Sequence, residues 1–401
     1  MTVRIVPARP RVPRGVVVLG LVSLCMDVSS EIVHALLPLY LATGLGVSML
    51  AIGLLEGIAE AVAPIVKVFS GVASDAMRKR KPLVLLGYGI AALTKPVFAL
   101  APTFGWIVGA RLADRVGKGI RGAPRDALIA DLTLPENRGA SFGLRQSLDT
   151  VGAVLGPIVA IAALAGFAGD FRAAFWIAVV PAFLAVALIV FGVDEPDRPG
   201  AAMPARRMSF AGARRLPRAF WLIAGVAALM AIARCSEAFL VLRAADVGLA
   251  IGQAPWVMVA MTVVYALVAW PAGRALDRGH GRATLYGGLA ALGLAHASLA
   301  FAPGATLVFV GAGLWGLHMG LTQGIFAAMV AEHAPADLRG TAFGVFNLAQ
   351  GVAMLVASGA AGALWDGFGA RYAFAFGATF AALSALALAA TGAASPRAPP
   401  R

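Results

Sequence analysis

Seven ionisable side chains crowd the segment RLADRVGKGIRGAPRDAL, residues 111–128: Arg111, Asp114, Arg115, Lys118, Arg121, Arg125 and Asp126. The same half of the chain holds further sets at helical spacing: Asp27, Glu31 and His34 at i, i+4 and i+7, Glu56 and Glu60 at i, i+4, and Arg145 and Asp149 at i, i+4. Residues so spaced share one helix face. A carboxylate among fixed cations alters the local field each time it gains or loses a proton. Two kinds of chemistry follow from this pattern: proton uptake coupled to charge movement, with Asp27, Glu31 or Asp114 as the carrier, or a static lattice of ion pairs tying helices together. No HExxH, GxSxG or Walker loop is present, which argues against an enzyme and against a nucleotide-driven pump.

The elements that must position these charges are oily. The 401 residues are 60% hydrophobic and only 13% charged, with a mean hydropathy of +0.83, where soluble domains carry about 25% charged residues. Twelve stretches reach the length that a hydrocarbon core demands: 15–41, 50–74, 83–101, 104–124, 139–166, 171–192, 219–244, 253–275, 283–302, 304–331, 341–364 and 370–391. No alternating strand pattern occurs, and backbone crossing lipid is helical or a closed barrel. The expected fold class is an all-α membrane protein. The polar, arginine-rich stretch 194–218 divides it into an N-terminal bundle, 1–193, and a C-terminal bundle, 219–401. Asp27 and Glu31 interrupt the first apolar run, so it reads as a retained helix rather than a signal peptide.

Charge distribution sets the orientation. Arg4, Arg9, Arg11 and Arg14, the RKRK run 78–81, the linker arginines, Arg278, Arg282, Arg339, Arg397 and Arg401 fall on one set of loops. The opposite loops are nearly bare, which places both termini in the cytoplasm of an inner-membrane protein. The net charge of +13 is then a topological signal and not a nucleic-acid footprint. Cys25 and Cys235 form no disulfide framework.

The chain repeats itself. Gly71-Val-Ala-Ser-Asp75 returns as Gly273-Arg-Ala-Leu-Asp277 at an offset of 202, and Arg138-Gly-Ala-Ser-Phe-Gly143 returns as Arg339-Gly-Thr-Ala-Phe-Gly344 at 201. Ser30-Glu31 is echoed by Ser236-Glu237. Two parallel six-helix halves about an axis along the membrane normal would place a binding site at their interface. The fourth span is not repeated in kind: at an offset of 202, Arg111, Asp114, Arg115 and Lys118 face Gly313, Gly316, Leu317 and Gly320. An ionised residue at a helix centre costs about 2.5–3.5 kcal/mol, so four exposed to lipid would cost on the order of 10 kcal/mol. They must face protein or a wet cavity.

On these residues the sequence resembles the major facilitator superfamily over its whole length. GVASDAMRKRK (71–81) is similar to that family's G-x-x-x-D-R-x-G-R-[RK] loop, with Gly71, Asp75, Lys79 and Arg80 on the pattern and Ala76 and Arg78 off it. GRALDRGHGR (273–282) keeps Gly273, Asp277 and Arg278. Gly143, Gly152, Gly156 and Pro157 match G-x8-G-x3-G-P on the fifth span, and Ala160-Ile161 replace the closing glycines. Arg115-Val-Gly-Lys118-Gly119 resembles the family's R-x-x-Q-G.

The resemblance implies twelve transmembrane helices in two pseudo-symmetric six-helix bundles, no cofactor, and alternating access driven by a proton gradient, with export implied by the fifth-span motif. It implies an arginine linked to proton movement at Arg115. It also implies a latch in which Asp75 meets the helix N-terminus at Arg339, with Arg80 and the second-copy residues in support. The expected substrate cavity adds Arg121, Arg234, Glu237, Tyr265, Trp315, His318, Gln323 and Asn347 to the charge network. Its expected partners are a small amphiphilic organic solute, protons and lipid, on a monomer. The rival readings are import of an organic anion, passage of a copper-like ion by Cys25, Met26, Asp27, His34, Cys235, His318 and Met319, and a receptor that binds solute without moving it.

Overall fold

The computed structural model describes residues 12–77, 79–195, 210–322, 324–335 and 338–391. Among these residues the regular structure is helical: α1 (Arg14–Leu39), α2 (Met49–Ala76), α3 (Lys81–Leu100), α4 (Phe104–Leu132), α5 (Arg138–Gly166), α6 (Phe171–Gly192), α7 (Arg218–Ala233), α8 (Ala238–Asp246), α9 (Trp256–Asp277), α10 (Gly281–Ala300), α11 (Ala305–Thr322), α12 (Ile325–His333), α13 (Arg339–Phe368) and α14 (Ala370–Thr391). These make twelve crossings, because α7 with α8 forms the seventh and α11 with α12 the tenth. Eleven crossings are apolar enough to span a membrane by composition among the described residues, and α4 is the exception. Its charges lower its hydropathy without shortening it.

Both divided crossings have local causes. Arg234, Cys235 and Ser236 are non-helical. The carbonyl of Ala233, released by this break, accepts a hydrogen bond from His296 Nε2 at 2.7 Å. In the tenth crossing Gly324 takes φ 81°, a left-handed conformation that ends α11 and restarts the helix as α12.

The crossings α1–α6 and α7–α14 build two halves of like plan. In the first, a Cβ on Gly87 of α3 would lie 2.7 Å from Gly117 O and from Arg121 N of α4. In the second, Gly288 of α10 meets Thr322, and its Cβ would lie 3.6 Å from His318 O of α11. These paired contacts put the third and fourth crossings at an offset of 201, not the 202 read from the second crossing. A deletion of one residue between the second and third crossings of the C-terminal half accounts for the shift. In the corrected register Arg111, Asp114, Arg115 and Lys118 correspond to Ala312, Trp315, Gly316 and Met319, and Lys95 to His296.

The halves meet along α2 and α13. At the loop end lacking arginines, small residues bring the two backbones together. A Cβ on Gly53 would strike Ser358 O, one on Gly362 would strike Met49 O, and one on Gly57 would lie 2.8 Å from Leu355 Cα. Close approach through small residues is the usual means of helix association in lipid, where apolar burial supplies no drive. Asp366, near the end of α13, completes the seam. Its carboxylate accepts the backbone N–H of Met49 at 2.9 Å and of Leu50 at 2.8 Å, the first orphan donors of α2. Toward the basic face the same two helices part around a cavity of about 900 Å³.

Asp366 is exposed, so its two bonds should contribute only about 1 kcal/mol to closure. Asp366→Ala should therefore speed labelling of Cys235, in a Cys25→Ser background, about fivefold by a membrane-impermeant maleimide added from the seam side. An unchanged rate would show that the glycine packing holds the seam alone.

Candidate functional site

The site is the interface of the halves, and α4 carries it. Arg111 donates to Glu56 of α2 at 2.5 Å, with both side chains almost fully buried. One turn on, Arg115 reaches Glu60 of the same helix at 3.0 Å. Asp114 points the other way, to α3, where Lys95 Nζ donates to its Oδ1 at 2.8 Å and to Ser30 Oγ of α1 at 3.3 Å. Lys95 is 1% exposed. Sequence reasoning missed it, although a lone lysine amid the apolar third span was the available signal. Arg121 lies over the Tyr88 ring at 4.4 Å. Arg125 bonds Ser23 at 3.0 Å and Asp126 at 3.1 Å. Within α5, Arg145 pairs with Asp149 at 2.7 Å, and within α1, Glu31 pairs with His34 at 3.2 Å. Most of the buried charges of the N-terminal half are therefore paired with one another across α1 to α5.

Asp27, Lys118, Arg121, Arg234 and Glu237 have no ion pair within 4 Å among the described residues. Asp27 and Lys118 line the 900 Å³ cavity together with Arg121, Arg125, Asp149 and, from α13, Arg339 and Asn347. A smaller chamber of about 170 Å³ is lined by Glu31, His34, Glu60, Arg115, Lys118, Arg234 and Glu237. The two spaces share Glu60, Arg115 and Lys118.

The glycines of the fifth span have a defined task. A Cβ on Gly152 would lie 2.8 Å from Leu24 O and 3.0 Å from Asp27 Cβ, and one on Gly156 would strike Glu31 Cβ. These glycines seat α1 against α5 at the level of its two carboxylates. Pro157 is buried in the same helix, whereas a Cβ on Gly143 would meet nothing within 4 Å.

Other expected site residues lie elsewhere. Trp315 and His318 are fully buried inside the C-terminal half and do not form the cavity wall. The Trp315 ring meets His296 edge-on at 5.1 Å, and His318 Nδ1 bonds Gly288 O at 2.9 Å. The reason is packing: Gly316 and Gly320 take the face of α11 that meets α9, which turns Trp315 and His318 toward α10. Tyr265 sits half-buried on α9 and lines neither space. Gln323 lies outside the described residues. Asp75 is 3.6 Å from Arg80, its side chain 68% exposed, and it lines the cavity along with Gly71, Arg339 and Gly340. Gly273, Asp277 and Arg278 are exposed at the end of α9. Among the described residues no three His, Cys, Asp or Glu side chains are grouped to hold a metal ion.

Two repeated helical halves around a charged cavity inside the membrane define a solute transporter rather than an enzyme. The chain belongs to the major facilitator superfamily, whose sequence profile matches residues 19–242 and 234–401. An uncharacterized MFS-type transporter of Methanocaldococcus jannaschii is 29% identical over 381 residues, 94% of each chain. The multidrug resistance protein MdtH of Photorhabdus laumondii is 31% identical over 129 residues, 32% of each chain. Among solved structures, a POT family transporter in complex with a thioalcohol-conjugated peptide superposes with a TM-score of 0.79 at 14% identity, over 95% of this chain and 96% of that one. The human organic anion transporter MFSD10 superposes with a TM-score of 0.68 at 18% identity, over 95% and 100%. At these identities the structures show a shared fold.

The buried pairs should behave as structural elements. Asp114→Asn leaves Lys95 without its counter-charge and should destabilise the protein by about 3–5 kcal/mol. The double variant Lys95→Met, Asp114→Leu should recover most of that loss in thermal unfolding. Failure of the double variant to recover would point to a role beyond charge compensation.

Proposed function

We propose that this transporter moves a small organic solute by proton-coupled alternating access, in the export direction, across an inner (plasma) membrane with both termini cytoplasmic. The observation that carries the coupling is Asp27. It is a carboxylate within the membrane, on the wall of the large cavity and without an ion pair, whereas Asp114 and Glu56 are buried against Lys95 and Arg111. A proton reaching the cavity meets Asp27 without first breaking a salt bridge. Losing the Asp27 charge would change the field at Lys118 on the same cavity wall. Lys118, Arg121, Arg125 and the carboxylate of Asp149 share that cavity wall with Asp27.

Export is supported by the Gly152, Gly156, Pro157 motif, which seats Asp27 and Glu31 against α5, and by the partial likeness to a multidrug resistance protein. The second reading, import of an organic anion, draws on the cations around Asp27: protonation there adds positive charge to the cavity, so proton and anion would bind together. A cation or neutral solute competing at Asp27 would instead exchange for the proton.

The test is flux in proteoliposomes under an imposed pH gradient. The native protein should concentrate or expel solute as the gradient dictates. Asp27→Asn should lose that dependence by at least about tenfold while still exchanging solute at equal pH. Retained gradient-driven flux in Asp27→Asn would remove Asp27 as the coupling group. The direction of native flux separates export from import, and no exchange of any solute would leave a receptor.

A further inference from the structure

The 170 Å³ chamber sits where the seventh crossing is broken, facing Lys118 of α4. Two of its three carboxylates already have partners: Glu31 contacts His34 at 3.2 Å and Glu60 contacts Arg115 at 3.0 Å. What remains is Lys118, Arg234 and Glu237, two cations against one carboxylate, none with an ion pair within 4 Å among the described residues. The break adds a second positive element. α8 begins at Ala238 beside the chamber; its first amides already bond Ser236 and Glu237 oxygens, so it contributes the positive end of the half-helix dipole and not those N–H donors. The opposing negative end is blunted, because His296 Nε2 donates to the Ala233 carbonyl at the C-terminus of α7. Two unneutralised cations and a helix N-terminus around a small enclosed space make an anion site. Of the chamber's three carboxylates, Glu237 is the one without an ion pair among the described residues to offer an entering cation.

We infer that this chamber binds a compact anionic group of the transported solute, a carboxylate or a phosphate, between Lys118 and Arg234. The rest of the solute occupies the 900 Å³ cavity, which adjoins the chamber at Glu60, Arg115 and Lys118. Glu237 stands against the anion and keeps its affinity low enough for release. The assignment rests on the cavity being the solute path and holds for either direction of transport. Because α4 and α8 belong to different halves, an anion held by Lys118 and Arg234 also joins the halves across the axis about which they move.

The full-length protein in lipid nanodiscs tests this with four probes of one ring size: benzoate, phenyl phosphate, phenyltrimethylammonium and benzyl alcohol. Thermal stabilisation should be saturable for at least one anion and absent for the cation and the alcohol. The ratio of the two anions identifies the head group. Lys118→Gln and Arg234→Gln should each weaken anion binding about tenfold, and Glu237→Gln should tighten it about threefold. The tightening is a change that general damage to the fold would not produce, and it decides the matter if either cation variant fails to fold. Unchanged anion affinity in the Lys118→Gln, Arg234→Gln pair, preference for phenyltrimethylammonium, or no response to either anion at millimolar concentration would overturn the site. Solute counterflow without anion binding would remove the site and leave transport standing. Anion binding without flux would do the reverse.

Discussion

An ionised side chain inside a bilayer must find a counter-charge or water, and the N-terminal half is arranged to meet that demand along α4. Arg111 and Arg115 face α2, where Glu56 and Glu60 are spaced by one turn to match them. Asp114, between them in sequence, faces α3 and takes Lys95. One helix thereby ties two neighbours with opposite polarity, and the directions of these bonds fix its rotation. That rotation delivers Lys118 to the cavity.

The C-terminal half has solved the same packing problem without charge. At the positions equivalent to Lys95 and Asp114 it places His296 and Trp315, stacked edge to face and fully buried. The fold itself accepts either solution, since both halves keep the glycine-mediated approach of the third and fourth crossings. The packing of the third and fourth crossings therefore does not require charge, and the interface has one strongly charged wall and one that is mostly apolar. The C-terminal half contributes charge chiefly where its seventh crossing breaks, at Arg234 and Glu237, and it does so toward the charged wall.

Much of this was legible in the sequence. The twelve crossings, the parallel repeat and the crowding of charge on the fourth span follow from hydropathy and spacing, because lipid penalises every exception. Glu56 and Glu60 were identifiable as partners because their spacing of four matches that of Arg111 and Arg115. Lys95 was not, since a single charge in an apolar span has no periodicity to announce it. The broken seventh crossing also escaped notice, as neither glycine nor proline marks residues 234–237. Trp315 and His318 were assigned to the cavity by residue type, which does not report helix rotation: Gly316 and Gly320 against α9 turn them to the interior. Asp366, sealing the opposite end from the expected latch at Asp75, has no sequence pattern beyond a carboxylate near a helix end.

The central claim is the proposed division of labour among carboxylates: Asp27 to exchange protons with the cavity, Asp114 and Glu56 to hold Lys95 and Arg111 in salt bridges. Difference infrared spectroscopy of the protein in lipid, stepped through pH, reads this directly from the carboxylic acid C=O band. In a Glu237→Gln background, which removes the other unpaired interface carboxylate, the account predicts a titrating band that vanishes on adding Asp27→Asn and persists on adding Asn347→Ala, a neutral change in the cavity wall. A band that survives Asp27→Asn and is lost when Asp114 or Glu56 is amidated would contradict it.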